Sequence, residues 1–119
     1  MNKIVIQGAL QSEIDYLLKI FDVLKKVNYC NYTFYECNYK GLMVIISKTK
    51  IGEISSAIAT TLAIQKYQPE FIINQGTAGA LVDWLNKGDI VVGNKIYYLS
   101  LFSMEENKEI DPINPWKNT

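Results

Sequence analysis

Glu13 is the residue with the clearest chemical potential in this sequence. It lies just behind a strand-like apolar run, Lys3-Ile4-Val5-Ile6-Gln7, that ends in Gly8. A carboxylate in the first turn of a helix sits at the positive end of the helix dipole, which favours its ionised form. Such a group can polarise a water or hold a sugar hydroxyl, although a solvated first-turn glutamate is the commoner outcome. A second candidate is Gly76-Thr77-Ala78-Gly79, which follows the apolar run Phe71-Ile72-Ile73-Asn74. Its glycines let the backbone approach a ligand closely and offer amide donors. It is neither a Gly-Lys-Ser/Thr phosphate loop nor a GxGxxG dinucleotide fingerprint, and a tight turn without a ligand is the more frequent use of such a loop. Asp89, after Gly88, reads as a turn-capping acid before it reads as a site acid. Tyr97 and Tyr98 read as packing before they read as base-stacking groups.

Composition removes whole classes of chemistry. Histidine and arginine are absent, and twelve lysines balance twelve acids to a formal net charge of zero. Without histidine there is no Ser/His/Asp triad, no Cys–His pair and no imidazole metal site. Without arginine there is no bidentate fork for phosphate or guanine. Balanced charge with no basic stretch argues against nucleic acid and anionic membrane as partners. Apolar runs of four or five residues are far too short to span a bilayer, and the opening MNKIVIQGAL does not read as a signal peptide. Cys30 and Cys37 fall in one expected strand. At about 3.3 Å per residue they stand roughly 23 Å apart, whereas a disulfide needs about 4.4–6.8 Å between alpha carbons. Free thiols and a cytoplasmic location are expected.

The elements that must position these residues follow from hydrophobic period and turn chemistry. The 119 residues, 49% of them apolar, suit one domain with its own core. Lys3 to Gly8 reads as a buried first strand. A helix is expected from Ser12, capped by its hydroxyl with Asp15 as box partner. Its stripe is Ile14, Leu17, Leu18, Phe21 and Leu24, and it ends at Lys25 and Lys26. Cys30 to Tyr39 reads as a strand, Lys40-Gly41 as a turn, and Leu42 to Ile46 as the returning strand. A second helix follows Gly52, with Ile54, Ala57, Ile58, Thr61 and Leu62 in helical period, and ends near Tyr67-Gln68 before Pro69. Phe71 to Asn74 is a further strand. Ile90-Val91-Val92 is expected as another, continuing through Ile96, Tyr97 and Tyr98, with a polar tail over about 104–119. This is an α/β pattern with a largely parallel sheet, in which ligands sit where loops leave the carboxyl ends of strands. The loops at Gly8–Glu13 and Gly76–Ala80 qualify, and the corner at Thr49–Gly52 is placed to join them.

Four segments resemble one family. Ile4-Val5-Ile6-Gln7-Gly8-Ala9-Leu10-Gln11-Ser12-Glu13 resembles the opening of the methylthioadenosine/S-adenosylhomocysteine nucleosidases, a strand running into Gly-Ala-Met and then a glutamate. Lys48-Thr49-Lys50-Ile51-Gly52 is similar to that family's Lys-Ser-Gly-Ile-Gly. Ile72 to Gly79 is similar to its Ile-Ile-Asn-Thr-Gly-Ser-Ala-Gly, and Lys87 to Val92 to its Val-Gly-Asp-Ile-Val-Val. The resemblance implies a three-layer αβα domain of the nucleoside phosphorylase/nucleosidase type. It gives the whole of 1–119 as one domain, the N-terminal half of that fold, truncated. It implies that Glu13 activates the attacking water, that Thr77, Ala78 and Gly79 line the ribose and base, that Leu10 lies under the sugar and that Ile51 flanks the nucleoside. The activity implied is hydrolysis of the N-glycosidic bond of an adenine nucleoside, within purine nucleoside metabolism and methionine salvage. No cofactor is implied, and a homo-oligomer, a dimer, is. A purine nucleoside phosphorylase and a non-catalytic nucleoside-binding or self-assembling half-domain are the alternatives. Two departures stand out. After Val92 the chain lacks the family's Arg-Tyr-His-Asp stretch, and Thr49-Lys50 replaces Ser-Gly, putting a bulky cation near the site. None of the twelve acids matches the family's aspartate that protonates the leaving purine.

Overall fold

The computed structural model describes residues 2–96. The chain divides into two compact units, residues 1–79 and 80–119. The first unit runs β1 (Lys3–Gly8), α1 (Gln11–Ile20), β2 (Asp22–Tyr29), β3 (Tyr32–Tyr39), β4 (Leu42–Lys48), α2 (Glu53–Tyr67) and β5 (Phe71–Asn74). The five strands form one mixed sheet in the order β2-β3-β4-β1-β5. β1 is parallel to both neighbours, with Gly8 beside Lys48 of β4 and Gln7 beside Asn74 of β5. β3 runs antiparallel to β2 and β4.

The strand pleat sorts the core into two clusters, one on each face of the sheet. Val5, Phe34 and Ile45 pack with Ala59, Ala63 and Tyr67 of α2, and Val44, Ile46 and Cys37 pack with Ile14 of α1. A helix on each face makes three layers, αβα. β1 and β4 are buried from both sides, which is why their sequences read as unbroken apolar runs instead of alternating. The buried stripe of α2 is Ala59, Ala63 and Tyr67, with Leu62 beside it. This is rotated from the expected Ile54–Ile58 face, for Ile54 is 79% and Ile58 44% exposed. The two alanines let the helix axis approach the sheet, and Tyr67 then meets the Phe34 ring edge-on at 5.7 Å.

The first helix is shorter than expected, and Asp22–Tyr29 is the edge strand β2 instead of the helix end. Leu24 continues the helical spacing by accident and is 64% exposed. Strand pairing takes over because Cys30 and Asn31, at φ +49° and +64°, form a two-residue reversal that matches the twist of a hairpin. That turn sets Tyr29 against Tyr32 and Asp22 against Asn38. Cys30 therefore lies in a turn and outside the strand that holds Cys37; both are free thiols. Burial, aided by the charge of Asp22, pushes the Cys37 thiol up to about 11, so it stays protonated and unreactive.

In the second unit, Asn86 to Asp89 form a tight turn. The Asp89 carboxylate accepts the Asn86 N–H at 2.8 Å, and Gly88 takes φ +97°. Asp89 thus has the turn-capping role. Ile90–Val92 are not a strand: they are 91%, 68% and 87% exposed, with no ladder partner among the described residues. The expected continuation through Tyr97 and Tyr98 and the polar tail lie outside the described residues. Also among the described residues, no helix is long and apolar enough to cross a membrane.

The packing predicts a sharp contrast in urea unfolding. Phe34→Ala, which empties the centre of the α2-side cluster, is expected to cost about 3–5 kcal/mol. Ile54→Ser, on the exposed face of the same helix, is expected to stay within roughly 0.5 kcal/mol of wild type. Equal losses would mean that α2 packs by its isoleucine face.

Candidate functional site

Because β4, β1 and β5 run in parallel, the segments leaving them emerge together along one edge of the sheet. Hydrogen bonds lock them there. The Thr49 N–H donates to Gly8 O at 2.9 Å, and the Gln75 N–H to Gln7 O at 3.0 Å. Beneath them, the Thr60 hydroxyl donates to Gln7 Oε1 at 3.2 Å.

Glu13 gathers the ends. The N-cap of α1 is Leu10, which has no polar side chain to offer the first turn. The Glu13 carboxylate reaches back instead: Oε2 accepts the Ala9 N–H at 2.8 Å and the Leu10 N–H at 3.0 Å. Oε1 accepts the Thr77 N–H at 3.3 Å from the loop after β5. Ser12 is not the cap; it lies within the helix, and its expected partner Asp15 accepts instead from Gln11 Nε2 at 2.8 Å. A second tie comes from Gln75, whose side-chain amide donates to the Glu13 carbonyl at 2.9 Å. The sequence reading passed over Gln75; its only signal was a polar side chain at a strand's end.

Two glycines make this approach possible. A Cβ on Gly76 would stand 2.9 Å from Glu13 Oε1, and one on Gly8 would stand 2.8 Å from Gln75 Nε2. Both are places where the backbone must come closer than a side chain allows.

The N–H donor of Leu10, helped by those of Thr77 and Ala9, holds the Glu13 carboxyl below its ordinary 4.5, against partial desolvation that would raise it. The group is ionised throughout the neutral range, at the positive end of α1.

Leu10 and Ile51 face a common groove of about 240 Å³, shared with Ala9, Gln11, Lys48 and Lys50. Leu10 is 42% and Ile51 74% exposed, so both are open to a ligand. Thr77 is joined to Glu13, whereas Ala78 and Gly79 follow it as exposed loop. The structure thus brings Glu13 together with Thr77, and Leu10 together with Ile51. Among the described residues, no group of three or more metal-ligating side chains converges.

Lys50 is the unexpected neighbour. It stands where the nucleosidase motif has glycine and takes φ +66°, a conformation costing a non-glycine residue about 1–2 kcal/mol. Its ammonium donates to Asn31 O at 2.8 Å and sits 4.5 Å from the centre of the Tyr32 ring. Both contacts hold it at the rim of the groove.

The carboxylate clamp predicts acid sensitivity with a definite sign. A lowered carboxyl pKa adds stability that is fully present above 4.5 and lost as pH falls through the lower native value. A carboxyl NMR titration is expected to place the Glu13 midpoint below 4.5 in the native chain. Gly76→Ala, by crowding Oε1, is expected to move that midpoint upward. A midpoint unmoved by the alanine would show that the loop after β5 does not hold the carboxylate.

Comparison with known proteins bears on the family and the fold. The family model described as Phosphorylase superfamily matches residues 3–115. A 5′-methylthioadenosine/S-adenosylhomocysteine nucleosidase of Staphylococcus aureus is 37% identical over 91 residues, covering 76% of this chain and 40% of that protein. The corresponding nucleosidase of Colwellia psychrerythraea, solved in complex with adenine, matches with a TM-score of 0.70 and 31% identity over 74% of this chain and 36% of its own. A futalosine hydrolase of Helicobacter pylori matches with a TM-score of 0.68 and 30% identity, over 71% of this chain and 37% of its own. The chain therefore spans about 40% of the length of the curated relatives it matches. A match from the first strand to residue 115, over a sheet that aligns with those of solved nucleosidases, makes this chain a member of the phosphorylase superfamily.

Proposed function

We propose that this chain carries the water-activating side of an adenine nucleosidase, acting on the N-glycosidic bond of nucleosides of the methylthioadenosine/S-adenosylhomocysteine type. One observation carries the reading: an ionised carboxylate, Glu13, held by backbone N–H groups where the segments after β1 and β5 meet. The names of the relatives support the substrate class, and the adenine in one related structure supports the base.

In this reading Glu13 accepts a hydrogen bond from a water and orients it toward the anomeric carbon. As the carbon–nitrogen bond breaks, its electron pair leaves with the purine and the sugar becomes oxocarbenium-like. The water oxygen then bonds to that carbon and gives its proton to the Glu13 carboxylate. Thr77, Ala78 and Gly79 lie along the ribose and base, with Leu10 and Ile51 as the apolar wall. The departing purine needs a proton, and none of the twelve acids here matches the family's aspartate that supplies it. A phosphorylase is disfavoured because the chain has no arginine for phosphate, and lysine offers only a point charge. The free thiols fit a reducing cytoplasm. Phe71 and Ile73, exposed on β5, fit self-association as a dimer.

A second reading draws on the same hydrogen bonds. Three N–H groups already occupy the Glu13 carboxylate, so it could serve purely as a clamp in a nucleoside-binding domain without turnover.

Adenine release from methylthioadenosine, with and without phosphate, separates these readings. Phosphate-independent release that falls by about 10²-fold or more in Glu13→Gln, with the far-UV circular dichroism unchanged, is the expected result. Release only with phosphate would make the chain a phosphorylase; saturable binding without release would make it a binding domain. Light scattering on the same samples is expected to give a mass above 13.6 kDa, and a strict monomer would remove the dimer from the reading.

A further inference from the structure

One polar layer crosses the sheet just before its strands end. Val5 and Ile45, a step earlier on the same face, belong to the apolar α2-side cluster. At the next step Ser47 of β4, Gln7 of β1 and Asn74 of β5 stand side by side, because Gln7 pairs with both. Residues in register on parallel neighbours share a face, and Thr60 of α2 lies against this one. Its hydroxyl donates to Gln7 Oε1 at 3.2 Å, which turns Nε2 of the amide the other way, toward Asn74 Oδ1 at 3.5 Å. Gln7 is only 6% exposed, so an amide without partners there would carry its full desolvation penalty. Ser47 Oγ, fully buried on the other side of Gln7, has no partner among the described residues. The donor of the amide goes to β5.

β5 needs such a mark. It has four residues, and three of them are the similar apolar Phe71, Ile72 and Ile73. Ile72 packs on the α2-side cluster, whereas Phe71 and Ile73 are exposed. Burial therefore fixes which face of β5 meets α2, but says little about how far along β1 the strand lies. A slide of two residues would keep every face, set Ile72 against Gln7 and leave the buried amide without its acceptor. It would also carry Thr77 roughly 7 Å along the sheet, away from the Glu13 Oε1 that its N–H now meets at 3.3 Å. The two ties of Gln75, to Gln7 O and to Glu13 O, depend on the same register. We infer that Gln7, oriented by Thr60 and paired with Asn74, is the positioning residue that fixes the register of β5 on β1 and so places the Thr77 N–H against the Glu13 carboxylate. The inference rests on the reading of Glu13 as the working group of the site.

Carboxyl NMR titration of the full 119-residue chain tests this. In Gln7→Met, which keeps the length of the side chain but not its amide, the Glu13 midpoint is expected to rise toward 4.5 as the Thr77 donor is lost. Asn74→Ala is expected to raise it by the same amount, and the double variant no further, because both break one contact. Amide exchange at Gln75 is expected to speed up about tenfold in each, relative to Ile45 at the middle of the sheet. Val27→Ala supplies the contrast: it thins the same α2-side cluster from β2 and lowers stability, yet is expected to leave the Glu13 midpoint in place. A midpoint unmoved in Gln7→Met, or moved equally by Val27→Ala, would overturn the inference. Where Gln7→Met does not fold, Thr60→Val decides in the same way, since it removes only the hydroxyl that orients the amide. The midpoint needs no turnover: a chain that releases no adenine would overturn the nucleosidase reading, and the titration would still decide whether Gln7 sets the register.

Discussion

Parallel pairing of β1 with both β4 and β5 is the constraint from which the site follows. Parallel neighbours end on the same edge, so three segments distant in sequence are delivered to one place. Antiparallel pairing of either neighbour would send its following loop to the opposite edge. The pairing also buries β1 and β4 on both faces, and only then do α1 and α2 have surfaces to cover. Core and site are therefore products of the same ladders. The apolar residues of β1 that hold the sheet together also deliver Gly8, Ala9 and Leu10 to the carboxylate.

Glu13 converts that convergence into a fixed arrangement. It closes the first turn of α1 in place of a polar N-cap and ties the loop after β5 to the same helix. The chemistry of such a carboxylate has a consequence for mechanism. Hydrogen bonds that stabilise the ionised form make it a weaker base, so in the proposed hydrolysis its part would be to orient a water and stabilise positive charge, not to remove a proton early. That fits a reaction whose transition state is a cationic sugar, where a fixed negative charge acts on developing charge without having to accept a proton first.

Much of this was readable from residues, for definable reasons. β1, β3, β4, β5 and α2 were expected near their observed places because apolar runs, a Lys-Gly turn and a proline stop are local signals. β2 was not: Phe21 and Leu24 extend the stripe of α1, and what ends the helix is a hairpin partner that the local spacing does not reveal. The buried face of α2 was misjudged for a related reason. Isoleucines have the larger apolar surface, but the sheet accepts the small alanines and leaves Ile54 and Ile58 outside. Ile90–Val92 carries strand-forming side chains yet is unpaired among the described residues, which shows that β propensity proposes a strand and only a partner makes one. At the site, Glu13 was visible from its place behind a strand-ending glycine, whereas Leu10, Ile51 and the role of Thr77 came only from family resemblance. Gln75 was missed because its part depends on a carbonyl 62 positions away.

The same economy of cover explains the hollow on the α1 side of the sheet. α1 ends at Ile20, so it shields only part of the face it packs on. What remains is a depression of about 430 Å³ lined by Ile4, Ile6, Phe21, Leu42, Val44 and Ile73 among others. Apolar surface left open to water adds nothing to folding, so the stability of this unit must come from the two clusters centred on Phe34 and Ile14. Helix α1, which carries Glu13, and β4, which leads to Lys50, both contribute to the cluster centred on Ile14. The β5 edge, with Phe71 63% and Ile73 49% exposed, pairs only with β1 among the described residues, and of its side chains Ile72 packs on the α2-side cluster. Local opening of the first unit should therefore begin at β5, and because Thr77 and Gln75 follow directly from that strand, its fraying would release the Glu13 carboxylate first.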